Sequence, residues 1–188
     1  MITFLFFITA LLVLSIFYYN NLIRKKNEVD NAMGSISTML KNRYDLIPNL
    51  VDTVKSYMTY EADMLNKLTS LRTMALQPNV SELEQEKLTK DIGVLMKKII
   101  VSVENYPELK TSTNFLQLQE SWTEIEDRIS ASRRFYNNGV VEYNIAIRSF
   151  PQNIIAKMMR YQPKKVFELT AEEAQNIWAK NLFNNDLK

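Results

Sequence analysis

ITFLFFITALLVLSIFYY, from Ile2 to Tyr19, carries no charged side chain, and only Thr3, Thr9 and Ser15 interrupt its apolar run. At a rise of about 1.5 Å per residue this stretch makes a helix roughly 27 Å long, the hydrocarbon thickness of a bilayer. Tyr18 and Tyr19 fall where an interfacial aromatic belt would sit, and Asn20 and Asn21 open the polar side. A cleaved signal peptide would need a basic start, which is missing, and a small-x-small cleavage site, which is not found between Leu11 and Asn31. No other segment is apolar on every face, so a buried core helix has nothing to pack against. The reading is a transmembrane anchor over residues 1–23.

Orientation follows from the flanks. Arg24, Lys25 and Lys26 come directly after the span, with Lys41 and Arg43 near enough to count, while the N-terminal flank offers only its amine. By the positive-inside rule this predicts a single-pass protein of the inner membrane, N-terminus outside and C-terminal domain cytoplasmic.

Beyond the anchor, three glycines and five prolines in 188 residues leave few turn formers, which favours a few long helices. The absence of histidine and cysteine removes imidazole bases, thiolate nucleophiles, disulfides and the usual zinc ligands. A net charge of +2 supplies no global field to draw nucleic acid.

Val29, Met33, Ile36 and Leu40 form an apolar stripe that predicts a helix running on from the membrane without a break. Asp45, three residues before Pro48, reads as the cap of a second helix, with a first turn at Arg43 to Asp45. That helix takes Ile47, Leu50, Val51, Val54, Met58, Leu65, Leu68 and Leu71 as its stripe and ends before Pro78. Ser81 and Glu84 form a capping box that opens a third helix, burying Leu88, Ile92, Leu95, Ile99 and Val103 around an unfavourable interior Gly93. A fourth, nearly heptad helix runs from Thr113 through Phe115, Leu118, Trp122, Ile125, Ile129, Tyr136, Val140, Tyr143 and Ile147 until Pro151 stops it. The expected fold class is all-α: a transmembrane helix continuous with a long antiparallel four-helix bundle over residues 24–150. A basic, amphipathic segment, 151–188, follows, with a short C-terminal helix from Thr170 and Glu173 that turns Ala174, Ile177, Trp178 and Leu182 to one side.

VDNAMGSISTMLKNRYDLIPNLVDTVKSYMTYE (Val29 to Glu61), ENYPELK (Glu104 to Lys110), the run from Phe115 to Arg134 with FYN and YN after it, and SFP (Ser149 to Pro151) together resemble the LemA family. The likeness covers about Tyr19 to Phe150, in order, and RYDLIPNLV is its most specific part. It implies a membrane-anchored helical bundle of bacteria with a membrane-organising or partner-binding role, and it brings no catalytic residues. Members recur near membrane-associated proteases, and a relative takes part in magnetosome membrane formation. Met33 stands where a tryptophan is common and Tyr60 where a histidine is common, and the tail after Met159 departs from the family pattern.

Two sets of residues stand out. Arg43, Tyr44, Asp45, Pro48 and Asn49, with Asn105, Tyr106 and Pro107, would form one exposed tip, a partner-binding surface or simply two helical corners. Lys157, Arg160, Lys164 and Lys165, interleaved with Ile154, Ile155, Met158 and Met159, would face anionic headgroups or end the bundle in solvent. Glu61, Glu104, Glu124, Glu126 and Asp127 invite a di-iron reading, but those sites use Glu-x-x-His pairs and this chain has no histidine. Arg43, Arg72, Arg128, Arg133 and Arg134 are the ordinary partners for such acids. The functional expectation is a non-catalytic membrane scaffold or adaptor that self-assembles or holds a membrane partner, with no cofactor, metal, nucleic acid or small-molecule substrate. A lipid-shaping surface element and, more remotely, a carboxylate-dependent enzyme are the alternatives.

Overall fold

The computed structural model describes residues 1–167; the expected helix at Thr170 and Glu173 lies outside them. All regular structure among the described residues is helical: α1 (Ile2–Lys55), α2 (Ala62–Ala75), α3 (Glu82–Ser102), a 3-10 turn (Val103–Asn105), α4 (Pro107–Lys110), α5 (Thr113–Arg148) and α6 (Gln152–Met158). The described residues form two compact units, one of residues 1–30 with 133–167 and one of residues 31–132, so both α1 and α5 contribute to each.

α1 corrects the expected first turn. It runs unbroken for 54 residues through Arg43 to Asp45, with Pro48 inside it. A proline there has no N–H for the carbonyl four residues back, that of Tyr44, and normally kinks or breaks a helix. Here Arg72 of α2 repairs the defect: its Nε donates to the Tyr44 carbonyl at 2.9 Å. Its guanidinium also lies 3.9 Å from Asp45, which is bonded to Lys41 one turn earlier at 2.6 Å. Asp45 is thus a mid-helix ion-pair partner and not a cap.

The real corner comes later. After Lys55 the chain turns, with the N–H groups of Tyr57 and Met58 closing on the Val54 carbonyl, and α2 starts at Ala62. The single second helix expected from Asp45 to Pro78 is therefore the end of α1 plus α2. Met58 inside the turn is buried, which is why it continued the apolar stripe across a break in the helix.

α3 begins as the sequence indicates: Ser81 caps it by accepting from the Glu84 N–H at 3.3 Å. Leu88, Ile92, Leu95, Ile99 and Val103 are all buried. They join Tyr44, Ile47, Leu50, Val54 and Met58 of α1 and its turn, Leu65 and Leu68 of α2, Leu109 of α4, and Phe115 and Trp122 of α5 in the core of the 31–132 unit.

One charge lies inside that core. Arg43, only 3% exposed, has Nε 2.6 Å from Glu126 Oε1, donates through Nη1 to the Thr89 carbonyl at 3.2 Å, and lies 4.7 Å over the Trp122 ring. A Cβ on Gly93 would fall 2.8 Å from Arg43 Nη2, so the glycine that weakens α3 as a helix is what admits the guanidinium. Beside it Thr89 gives its proton to the Gln85 carbonyl, so the Tyr44 hydroxyl, 2.9 Å away, donates to Thr89 and accepts from the Gln85 amide.

Removing Arg72 should cost about 1–3 kcal/mol by stranding the Tyr44 carbonyl. Pro48→Ala supplies the missing N–H, so Arg72→Leu should be much less damaging in that background. Chemical denaturation of the four proteins of this cycle checks it; equal losses in both backgrounds would show that Arg72 acts elsewhere.

Candidate functional site

Two regions bear on function, one in each unit. In the 31–132 unit the expected tip is only partly assembled. Arg43 and Tyr44 are core residues, not surface ones, because the turn they were assigned to is helix. Asp45 and Asn49 are exposed and Pro48 half-buried along α1, away from any chain reversal. The corner that does adjoin Asn105 to Pro107 is Ser56 to Glu61: the Tyr106 hydroxyl donates to Glu61 at 2.6 Å. That bond holds the proton on Tyr106 and raises its pKa above 10.0. Tyr60, at 93% exposure, projects from this corner. It was noted in the sequence only as a departure from the family pattern.

Four of the five acids that suggested metal chemistry are in other employment. Glu61 holds Tyr106, Glu104 pairs with Lys110, Glu124 with Arg128 at 2.6 Å, and Glu126 with Arg43. Among the described residues no three or more carboxylates gather into a group able to hold a metal ion.

In the other unit, Leu22 and Val29 of α1 pack with Val140, Tyr143, Ala146 and Ile147 of α5 and Ala156 of α6. Lys25 bonds Glu142 at 2.7 Å, and a Cβ on Gly139 would lie 3.4 Å from Val29, so α5 runs antiparallel to α1. The Lys25 bond draws the Glu142 pKa below its ordinary value. After α6 the chain returns along α5 as an extended strap, residues 161–167.

Two Tyr-Asn pairs seven residues apart hold the strap. The Asn144 amide donates to the Lys164 carbonyl at 2.8 Å and accepts from the Lys164 N–H at 3.0 Å. Asn137 does the same with Phe167, at 3.0 and 2.8 Å. Tyr143 donates to the Gln162 carbonyl and Tyr136 to that of Lys165, both at 3.2 Å. The spacing is geometrical: seven helical residues rise about 10.5 Å, close to three residues of extended chain. Burial raises the Tyr143 pKa, keeping that donor protonated. Asn137 was the residue not singled out in the sequence, and the repeated YN was the signal that could have found it.

The basic set divides here. Lys157, Arg160 and Lys165 are exposed, whereas Lys164 is bonded to Asp30, which also takes Lys26 at 2.9 Å. These bonds, the one from Lys164 foremost, lower the Asp30 pKa against the opposing effect of burial. Arg160 ends α6 with φ of 54°, the left-handed position where glycine is usual. The Arg160 and Tyr161 N–H groups close on the Lys157 and Ala156 carbonyls at 3.1 and 2.9 Å.

Among the described residues one helix, α1, is long and apolar enough to cross a membrane, and the window that qualifies it is wholly unburied. With no strand among the described residues, the class is that of an all-helical, membrane-associated protein. Residues 32–179 match the LemA family, and the chain belongs to it. It is 27% identical to Protein LemA of Metamycoplasma hominis, over 96% of this chain and 85% of that protein. It is also 23% identical to Magnetosome protein MamQ 2 of Paramagnetospirillum magneticum, over 86% of this chain and 68% of that one. Magnetosome protein MamQ of Magnetospirillum gryphiswaldense is 22% identical over 86% and 67%.

Asparagine bonding to the strap predicts that Asn137→Ala and Asn144→Ala each speed tryptic cleavage at Lys164 and Lys165 about tenfold, through local opening made easier by about 1.4 kcal/mol. Asn138→Ala, at an exposed neighbour, should not. The Asp30 pKa lies below 3.8, so its bonds stabilise fully above that value and are lost as pH falls through the lower folded pKa. A Tm deficit of Asp30→Asn at pH 7 should therefore close as the pH drops below 3.8.

Proposed function

We propose that this protein is a non-catalytic, membrane-anchored helical scaffold that self-assembles or holds a membrane partner. The observation that carries the reading is α1: its apolar first part is wholly unburied, and the same helix continues into the packed core of the 31–132 unit. Such a helix mounts a folded domain on a bilayer without a linker. The relatives support the setting, two of them bearing names as magnetosome proteins. The absence of histidine and cysteine, and the pairing of Glu124 and Glu126 with arginines, weigh against hydrolytic chemistry.

In this reading residues 1–23 are the anchor, 24–150 the bundle and 151–188 an accessory segment. Arg24, Lys25 and Lys26 keep the domain in the cytoplasm at the inner membrane. The partner surface is the corner of Tyr60, Asn105, Tyr106 and Pro107, with Asp45, Pro48 and Asn49 lending an exposed flank of α1; Arg43 and Tyr44 support that flank from the core. A second reading, a lipid-surface role for residues 150–167, is favoured by the exposure of Lys157, Arg160 and Lys165, with Lys164 fixing the strap.

A photo-crosslinking side chain placed at Tyr60 in intact cells should give a discrete adduct, either a dimer or one defined neighbour. A protein that stays monomeric and free of adducts at every exposed corner position would sink the scaffold. Because the chain has no cysteine, Tyr60→Cys also reports topology. It should react with a membrane-impermeant maleimide only after the cells are opened.

A further inference from the structure

The end of α5 lies level with the end of the apolar span. Lys25 sits opposite Glu142 and Val29 opposite Gly139. Carried from Lys25 back to Tyr19, and from Glu142 on to Arg148, the same antiparallel register sets the last residue of α5 beside the aromatic end of the span. Leu22 is the first fully buried residue of α1, and it shares its cluster with Ala146, Ile147 and Ala156. The turn after α5 and the short α6 therefore occupy the level at which a bilayer's headgroups begin.

At that level the surface is apolar. Phe150 in the turn is 81% exposed, and on α6 Ile154 is 53% and Met158 80% exposed. Their spacing of four residues puts Ile154 and Met158 on one side of α6, and Ala156, on another side, is buried against the α1–α5 pair. Lys157 and Arg160 flank this line and are exposed. An apolar edge bordered by cations, in a segment too short to span, is the composition of an element lying in the membrane interface.

We propose that Phe150, Ile154 and Met158 insert into the interfacial layer of the same leaflet from which α1 emerges, as a second membrane contact beside the span, with Lys157 and Arg160 on anionic headgroups. This rests on the anchor assignment. The occupant is lipid and not a second copy because the line is continuous with the uncovered span and bordered by like charges, which a two-fold contact would oppose. The inserted edge turns a helix free to rotate about its axis into a mount with a defined face.

Full-length protein reconstituted in vesicles of phosphatidylcholine and phosphatidylglycerol, with single spin-labelled cysteines, tests this. Labels at Phe150, Ile154 and Met158 should be more accessible to oxygen than to a water-soluble nickel complex, as should a label at Leu11 in the span. A label at Glu86, exposed on α3, should show the reverse. If Leu11 is lipid-exposed but all three α6-edge labels behave like Glu86, the anchor stands and the inserted edge is refuted. If those labels are shielded from both reagents and broaden one another's spectra, a second copy covers the edge and the proposal is likewise overturned. The triple variant Phe150→Ser, Ile154→Ser, Met158→Ser, altering only exposed side chains, should retain its thermal transition while a label at Lys157 moves from headgroup depth into the aqueous class. No movement of that label would count against insertion as firmly.

Discussion

A single side-chain bond, from Arg72 to the carbonyl of Tyr44, is what allows α1 to be one helix. Pro48 removes the donor that carbonyl would ordinarily take, and the defect lies where the helix is surrounded by core residues on either side, Tyr44 and Ile47. Without an external donor the chain would have to leave that carbonyl dry and unpaired or break the helix to wet it. The donor comes from α2, so the continuity of α1 is a tertiary property, established only when the hairpin of α2 and α3 has packed.

That dependence explains what could and could not be read from the sequence. Apolar spacing located most of the core, from Val29 and Ile36 to Trp122 and Tyr143, though not Leu22, Tyr44, Met96 or Leu109, because burial leaves its period on composition whatever the chain does between turns. Ser81 with Glu84 gave the start of α3 correctly because a cap is local chemistry. Asp45 with Pro48 misled for the same reason: local rules make that pair a helix start, and the guanidinium that overrules them lies far away in the chain, at Arg72. Conversely, the true break at Ser56 to Glu61 carries no glycine or proline, and Met58 keeps the stripe going across it. The candidate site suffered from this displacement. Asn105 to Pro107 were correctly taken as a corner, but their neighbour is Glu61 and not Asp45.

Arg43 shows how a polar residue can be misassigned when its partners are distant in sequence. Nothing adjacent marks it as buried; its carboxylate, carbonyl, aromatic face and space come from Glu126, Thr89, Trp122 and Gly93, on α3 and α5. An ion pair of this kind, with its guanidinium buried and its carboxylate partly exposed, adds little net stability over an apolar substitute. Its geometric demands are stricter: only one register of α3 against α1 brings Gly93 under the guanidinium and Thr89 under Tyr44, so the network selects among packings of otherwise interchangeable leucine and isoleucine stripes.

The strap obeys a different logic. Asn137 and Asn144 bond main-chain atoms, as do Tyr136 and Tyr143, so residues 162–167 are held largely by their extended backbone, with Lys164 on Asp30 and Phe167 against Tyr136 and Arg133 as side-chain contacts. A binding rail of this kind tolerates variation in what it holds while the rail itself must keep Tyr-Asn at a seven-residue repeat. The bonds that fix the strap do not pass through its outward side chains, Lys165 and Val166 among them, so changes there would leave the rail intact.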